Sequence, residues 1–356
     1  MDRRQLWFAA VVFVPAMLVG MLVLAFADIG GDERPSPDSP VRAATTSSSV
    51  PSGSSVSPVP RPSAPPVAEG PFAQGVYGTH PHAGAQAAQW RATRPADAAL
   101  MERMASTPTA TWLGDWTPDV RTAAADLVGK AAATGRRPVL VTYNIPERDC
   151  GNYSGGGAKD EKAYRAWIRA LAEGIADRPA AVILEPDALA HLCGDADAKY
   201  RMLSDAVTVL AAGKDTAVYL DAGHPHWLSV KTAAQRLRAA GVAKARGFAL
   251  NVSNFVVTGE TEWYGEEIVA ALGGESHYVI DTSRNGNGDG GGTDWCNPPG
   301  RALGATPSAA TTGAHADAYL WIKVPGESDG ACNGAPAAGT WLPEYALGLA
   351  REAWGR

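Results

Sequence analysis

Residues 181–187 read Ala-Val-Ile-Leu-Glu-Pro-Asp, a short apolar run that stops abruptly at a turn. Such a run is typical of a strand buried on both faces, as in a parallel sheet covered by helices. Pro186 has no N–H group to donate to a neighbouring strand, so we expect the strand to end there. Two carboxylates then stand at its carboxyl end, where parallel α/β folds form their sites. Taken alone, Asp187 would be explained better as a helix cap.

The same pattern recurs along residues 71–356, where strand-like runs alternate with helical ones. The spacing of apolar residues predicts helices near residues 120–128, 161–176 and 198–212. Strand-like runs are expected at residues 138–145, 181–184, 217–220, 248–252, 277–280 and 318–323. This alternation predicts an α/β fold with a parallel sheet, and the length favours closure into a barrel.

Most of these strands end at an acidic residue or shortly before one. The acids are Asp149, Asp187, Asp221, Asp281, and Glu327 with Asp329. In a parallel barrel these strand ends lie on one face, so we expect the acids to converge. Crowded carboxylates separate in pKa, so that one stays protonated while others are ionised. Hydrolysis of a glycosidic bond needs this combination of a proton donor and a carboxylate.

The first 70 residues predict export and a tether. A pair of arginines precedes an uninterrupted apolar run over residues 6–27. The run has the order of a secretory signal and is also long enough to span a bilayer, so cleavage after residue 27 and retention as a membrane anchor both stay open. Residues 28–70 are rich in Pro and Ser, so we expect a disordered linker. Residues 71–356 form the expected folded domain, outside the cell or on the outer side of its membrane.

Composition narrows the class of partner. The net charge of −6, without any long basic run, argues against nucleic acid. Eleven tryptophans, several of them in Gly-rich loops, indicate an exposed aromatic platform. An even number of cysteines in an exported chain predicts two disulfides, and we expect them to pin the loops that carry the acids. Three pairings are open among Cys150, Cys193, Cys296 and Cys332, and no cysteine or histidine spacing predicts a metal site.

Six motifs together resemble glycosyl hydrolase family 6, the inverting cellulases, over nearly all of residues 71–356. They are Tyr-Asn-Ile-Pro-Glu-Arg-Asp-Cys at 143–150, Leu-Glu-Pro-Asp at 184–187, Leu-Asp-Ala-Gly-His at 220–224, Asp-Thr-Ser-Arg-Asn-Gly at 281–286, Trp-Cys-Asn-Pro at 295–298 and Trp-Ile-Lys-Val-Pro-Gly-Glu-Ser-Asp-Gly at 321–330. The resemblance implies a distorted parallel (β/α) barrel, similar to the TIM barrel but with fewer than eight strands. It also implies β-1,4-glucan substrates and no metal or cofactor.

The resemblance assigns roles to five residues around the bond to be cleaved. Asp187 is similar to the general acid that protonates the departing oxygen. Asp149 resembles the neighbour that keeps Asp187 protonated and relays a proton from water. Asp329 resembles the candidate base, and Asp221 a further carboxylate that binds substrate or orients the others. Tyr143 is similar to the residue that presses on the distorted sugar ring.

The remaining site residues are also carried by the resemblance. Sugar-binding positions are matched by Trp112, Trp227, Trp295, His224, Lys323 and Glu327. Arg148 and Arg284 are candidates to balance the negative charge, and Ser154 is a candidate holder of the catalytic water. Core packing is the alternative for Trp227 and Trp295, and a purely structural histidine is the alternative for His224.

The mode of attack depends on whether loops roof the cleft. The stretches at residues 295–321 and 329–341 are short and leave no room for two long roofing loops. We therefore expect an open cleft and an endoglucanase that acts as a monomer. An exo-acting cellobiohydrolase, a different extracellular β-glucan as substrate, and a non-catalytic glucan-binding protein of the same fold are the alternatives. The presence of Asp187 and Asp329 favours an enzyme over a binding protein.

Overall fold

The computed structural model describes residues 70–291 and 294–355, in which strands and helices alternate. The strands are β1 (Val76–Tyr77), β2 (Thr111–Gly114), β3 (Arg137–Tyr143), β4 (Ala180–Leu184), β5 (Thr216–Asp221), β6 (Gly247–Leu250), β7 (His277–Asp281) and β8 (Ala316–Leu320). The helices are α1 (Pro81–Trp90), α2 (Pro95–Ala105), α3 (Val120–Ala132), α4 (Glu161–Ile175), α5 (Ala196–Leu210), α6 (Val230–Ala239), α7 (Thr258–Leu272) and α8 (Pro343–Trp354).

The predicted signal or anchor and the predicted linker lie outside the described residues, apart from Gly70. Within the two described ranges, no helix combines the length and the hydropathy needed to cross a bilayer.

The strands form one parallel sheet that curls into an open barrel. From β3 to β8 each strand pairs with the next along the chain. On the other edge of β3, its first residues pair with β1 and its later residues with β2, so seven strands stand side by side. The N–H of Ala110 donates to the carbonyl of Trp321 at 2.9 Å, which ties this edge to the segment after β8. The prediction of an α/β barrel with fewer than eight strands abreast is confirmed.

Both faces of the sheet are apolar, as the sequence of each strand requires. In β3, Val139 and Val141 pack in the barrel interior, whereas Leu140 packs in the layer between sheet and helices. In β4, Ile183 faces the interior and Val182 faces the helices. Since side chains alternate along a strand, a strand that is apolar throughout fills both layers. Polar chemistry is therefore left to the strand ends.

One strand differs clearly from its predicted range. β8 was expected at residues 318–323, but it ends at Leu320. The N–H groups of Ile322 and Lys323 donate instead to the carboxylate of Asp281, at 3.2 and 2.9 Å. The buried carboxylate of Asp281 thus accepts the main-chain N–H groups that a neighbouring strand would otherwise bind, and the chain turns after Leu320.

Two helical glycines give a matched test of the packing between α3 and α4. Gly174 is buried, and a Cβ there would collide with the main-chain carbonyl of Arg121. Gly129 is exposed, and the nearest atom to an added Cβ is a side-chain nitrogen of Arg178 at 3.7 Å. We expect Gly174→Ala to lower the free energy of unfolding by about 1–3 kcal/mol through overpacking. Gly129→Ala should raise it by about 0.5–1 kcal/mol through helix propensity. Denaturant unfolding with intact disulfides measures both, and equal effects would contradict this packing.

Candidate active site

A cleft of about 1280 Å³ opens at the carboxyl ends of the strands. It brings together residues that are far apart in the sequence. The predicted site residues that line it are Trp112, Tyr143, Arg148, Asp149, Ser154, Asp187, His224, Trp227, Trp295, Lys323, Glu327 and Asp329. Asp221 and Arg284 lie buried instead of lining the cleft, and each contacts one of its acids.

The turn after β4 has an unusual main-chain conformation. Glu185 has a φ of 48° and Asp187 a φ of 70°, in the left-handed region that non-glycine residues rarely adopt. The turn is held by the buried Glu185 carboxylate, whose Oε2 accepts the N–H groups of Asn144 at 2.8 Å and Ile145 at 2.9 Å. Strained conformations of this kind cluster at functional sites, where the surroundings determine them. Here they fix Asp187 at the edge of the cleft.

The pKa of Asp187 is raised to about 6. Burial is the main cause, and the negative charge of Asp149 adds to it. The hydroxyl of Tyr143 donates to Oδ2 of Asp187 at 3.1 Å and acts in the opposite direction. A carboxyl group with such a pKa keeps its proton in mildly acidic solution and can give it up to a substrate.

Asp221 lies beneath Asp187 and holds its main chain. Oδ2 of Asp221 accepts the N–H groups of Asp187 at 2.9 Å and Gly223 at 3.3 Å. Burial and the nearby Asp187 raise the pKa of Asp221 well above its usual range. Its position supports the orienting part of its expected role, because it lies below the cleft surface.

Asp329 has the opposite environment. Its Oδ2 accepts from Nη1 of the buried Arg284 at 2.8 Å and from the N–H of Asn297 at 3.0 Å, and Nζ of Lys323 lies 3.7 Å from Oδ1. Burial alone would raise the pKa of Asp329, but the charges of Arg284 and Lys323 outweigh it and the pKa is lowered. In this cleft the surroundings of Asp187 therefore favour the protonated form, whereas those of Asp329 favour the ionised form.

Asp281 differs from the other strand-end acids, with which it was expected to converge. It is fully buried and does not line the cleft. Its two oxygens accept four main-chain N–H groups, those of Ser253, Ser283, Ile322 and Lys323. The expectation that it joins the cleft is wrong, because its hydrogen-bonding capacity is used to fasten three loops.

Asp149 lies on a tight turn with a φ of 52°, and its Oδ2 accepts the N–H of Ser154 at 2.8 Å. Arg148 donates to the carbonyl of Ser154 at 2.7 Å and to the carbonyl of Tyr143 at 2.6 Å. Its ion-pair partner is Asp115, at 2.9 Å, rather than one of the predicted acids. Arg148 thus supports the loop that carries Ser154.

The disulfides pair Cys150 with Cys193 and Cys296 with Cys332. The first joins the turn of Asp149 to the loop after β4. The second joins the loop of Trp295 to the loop that follows Asp329. The prediction of two disulfides beside the acids is confirmed, and one of the three open pairings is selected.

Exposed aromatic rings line the cleft. Trp227 is 39% exposed and Trp295 44%, which excludes core packing for both. Sequence analysis missed two others, Trp116 at 53% and Tyr153 at 51%. Trp112 is half-buried, and its indole N–H donates to the carbonyl of Ile322 at 2.8 Å. Flat rings exposed at this edge can stack against the C–H faces of sugars.

Three polar side chains of the cleft have shifted pKa values. Burial, with the neighbouring His226, lowers the pKa of His224 to about 4, so this imidazole is neutral. Burial also lowers the pKa of Lys323, whose Nζ donates to the carbonyl of Ser328 at 3.2 Å. Burial raises the pKa of Glu327. Sequence analysis also missed His226 and Asp289, which line the same cleft.

Comparison with known proteins agrees with this geometry. The profile of the glycosyl hydrolases family 6 matches residues 74–353. Endoglucanase A of Cellulomonas fimi is 50% identical over 268 residues, which cover 74% of this chain and 58% of that protein. Endoglucanase 1 of Streptomyces halstedii is 45% identical over 275 residues, which cover 73% of this chain and 84% of that protein.

A solved structure is similar as well. The endoglucanase Cel6 from Mycobacterium tuberculosis, in complex with methyl-cellobiosyl-4-deoxy-4-thio-β-D-cellobioside, aligns with a TM-score of 0.71 and 47% identity. The alignment covers 75% of this chain and 94% of that one.

The contacts of Asp187 predict that two substitutions shift its pKa in opposite directions. Asp149→Asn removes a like charge and should lower the pKa of Asp187 from about 6. Tyr143→Phe removes a donor to the ionised form and should raise it. The carboxyl carbon-13 resonance of Asp187, followed against pH, measures both shifts. Shifts in the same direction would show that these neighbours do not set its protonation.

Proposed function

The chain belongs to the glycosyl hydrolases of family 6, and on that premise we propose that it is an endo-β-1,4-glucanase that cleaves cellulose or a related β-1,4-glucan with inversion. The observation that carries the proposal is the opposite electrostatic environment of two cleft carboxyl groups. Burial and Asp149 favour the protonated form of Asp187, whereas Arg284 and Lys323 favour the ionised form of Asp329. Glycoside hydrolysis requires one carboxyl group in each state.

Asp187 would donate its proton to the oxygen of the departing sugar. Asp329, already ionised, would accept a proton from the water that attacks the anomeric carbon on the opposite face. Such a displacement inverts the anomeric configuration. A relay through Asp149 is the alternative path for the proton of the water, and the contact between Asp149 and the loop of Ser154 supports it. Asp221 would orient Asp187, and Tyr143 would contact both the acid and the ring of the sugar.

The aromatic side chains would bind the glucan. Trp112, Trp227 and Trp295 line the same cleft as Lys323 and Glu327, so it offers both rings for sugar faces and polar groups for hydroxyls. Sugar rings stacked on these side chains would place the bond to be cleaved between the two carboxyl groups. Binding of the glucan would therefore also align that bond for reaction.

Attack within glucan chains is supported by the exposure of the rings along the cleft. Trp116, Tyr153, Trp227 and Trp295 are all exposed, as expected for a groove that admits the middle of a polymer. The three relatives compared with this chain are endoglucanases. The two disulfides support export, because such bonds persist in oxidising compartments. In this proposal residues 6–27 act as the export signal or membrane anchor, and residues 28–70 link them to the catalytic domain.

Asp187→Asn tests the assignment of the acid. We expect turnover on cello-oligosaccharides to fall by about a hundredfold to ten-thousandfold, because the leaving oxygen loses its proton donor. Binding of the same oligosaccharide, measured by calorimetry, should change little. A dinitrophenyl cellobioside needs no protonation of its leaving group, so its cleavage should fall much less.

Asp177→Asn, which removes an exposed carboxylate outside the cleft, serves as the control and should behave as the wild type. Substantial glucan turnover by Asp187→Asn would refute the role of the acid. Binding without turnover in the wild-type protein would instead favour the glucan-binding alternative.

A further inference from the structure

His226, in the loop after β5, bridges two carboxylates. Its Nε2 lies 2.7 Å from Oε1 of Glu260, and its Nδ1 lies 2.6 Å from Oδ2 of Asp289. These three side chains, called the His226 clamp below, come from the loop after β5, the first turn of α7 and the turn after β7. A charged imidazole donates from both nitrogens, whereas a neutral one donates from only one. Both contacts can therefore be hydrogen bonds only while His226 is protonated.

The turn at residues 288–291 depends on polar contacts. Gly288, Gly290 and Gly291 have φ values of 68°, 67° and 70°, a conformation that favours glycine and leaves no side chains to pack. Within the turn, Oδ1 of Asp289 accepts the N–H of Gly291 at 2.9 Å, and Arg301 donates to the carbonyl of Gly288 at 2.9 Å. The other oxygen of Asp289 joins this turn to His226 across the cleft wall.

His226 is also next to Trp227, whose exposed ring lines the cleft. The ring of Trp227 contacts His224, with centroids 5.7 Å apart, and His191, at 6.1 Å. Neither of these ring contacts fixes the main chain. The N–H of Trp227 donates to the carbonyl of His224 at 3.0 Å, and the hydroxyl of Tyr264 in α7 donates to the carbonyl of Leu228 at 2.8 Å. The His226 clamp adds a further fastening to α7 and joins this loop to the turn at residues 288–291.

We propose that His226 is a positioning residue: while protonated, it fastens the loop after β5 to the first turn of α7 and to the turn at residues 288–291, and so holds Trp227 for stacking against the glucan. The inference rests on the proposed function for its ligand, but the clamp itself needs no ligand. When His226 loses its proton, one carboxylate faces a lone pair, and that side of the wall loosens. Glucan affinity then falls, whereas the carboxyl groups that act on the bond remain in place.

The charges around His226 determine the direction of the pH effect. The hydrogen bond to Glu260 is the largest influence and raises the pKa of His226; partial burial opposes it, and Asp289 raises it further. The other charged or titratable groups nearby are His224, with ring centroids 6.1 Å apart, and Arg301, which acts on Asp289. His224 is neutral because of its lowered pKa, so the carboxylates prevail. The clamp is closed below the raised pKa of His226 and opens as pH rises through it.

The experiment measures glucan affinity against pH in full-length protein carrying Asp187→Asn, so that neither turnover nor titration of Asp187 interferes. The dissociation constant of cellohexaose should rise about twofold to fivefold as His226 loses its proton, the range that partly exposed ion pairs support. With His226→Gln added, this step should disappear. With Glu260→Gln added, it should move to lower pH, because one of the two carboxylates that favour the charged imidazole is gone.

His315→Gln is the matched control. His315 lies 2.6 Å from Oε2 of Glu266, and its side chain is 34% exposed against 39% for His226, but it does not line the cleft. This variant should keep the step. Persistence of the step in His226→Gln, or its loss in His315→Gln, would overturn the proposal.

Two measurements without ligand separate the clamp from the proposed function. The imidazole resonances of His226 should titrate with a pKa above that of an unperturbed histidine. Above this pKa, the amides of residues 288–291 should be less protected from hydrogen exchange than below it. Their protection should then match that in His226→Gln. If cellohexaose binds at no pH, the proposed function fails. Equal exchange in the wild type and His226→Gln at every pH would overturn the clamp itself, whatever the outcome of binding.

Discussion

The surroundings of two carboxyl groups in one cleft favour different protonation states, and the rest of the structure is arranged around that difference. Asp187 lies in a poorly solvated position beside another negative charge, which makes ionisation costly. Asp329 is also largely removed from water but has the guanidinium of Arg284 and the ammonium of Lys323 beside it. Desolvation is common to both, so the cations decide which acid is ionised.

The main chain holds these groups through other acids that never reach the cleft surface. Glu185 fastens the turn of Asp187 to the end of β3, and Asp221 accepts the N–H of Asp187 itself. Asp281 gathers N–H groups from three loops, one of which carries Lys323. Preorganisation of this kind costs backbone strain at Glu185 and Asp187, and buried hydrogen bonds with fixed geometry offset it. The parallel sheet supplies the common edge from which all these residues project.

The sequence predicted the parts whose signal is local. β4, β5 and β7 are apolar runs that end at Pro or Asp, and α3, α4 and α5 show regular apolar spacing, so their ranges were found within a few residues. β2 has only four residues, two of them half-buried, and gave no comparable run. Trp116, which follows it, was therefore missed.

Contacts between distant residues left no local signal. Asp281 looked like any other strand-end acid, because its acceptor role depends on N–H groups of other loops. His226 meets Glu260 and Asp289 across 34 and 63 residues of sequence. The partners of Arg148 also depend on folding, since Asp115 comes from the loop after β2. Residue type and strand position thus predicted the edge of the sheet at which the acids lie. Only the packed structure shows which acids are exposed in the cleft, which are paired with a cation and which bind only main-chain N–H groups.

The most direct test of the central claim follows the anomer of the new reducing end by NMR as the purified protein cleaves a soluble cello-oligosaccharide. A protonated Asp187 and an ionised Asp329, acting from opposite faces of the sugar through water, predict that the first product is the α-anomer. A first product in the β-configuration would mean retention through a covalent intermediate. It would contradict the assignment of acid and base to these two residues.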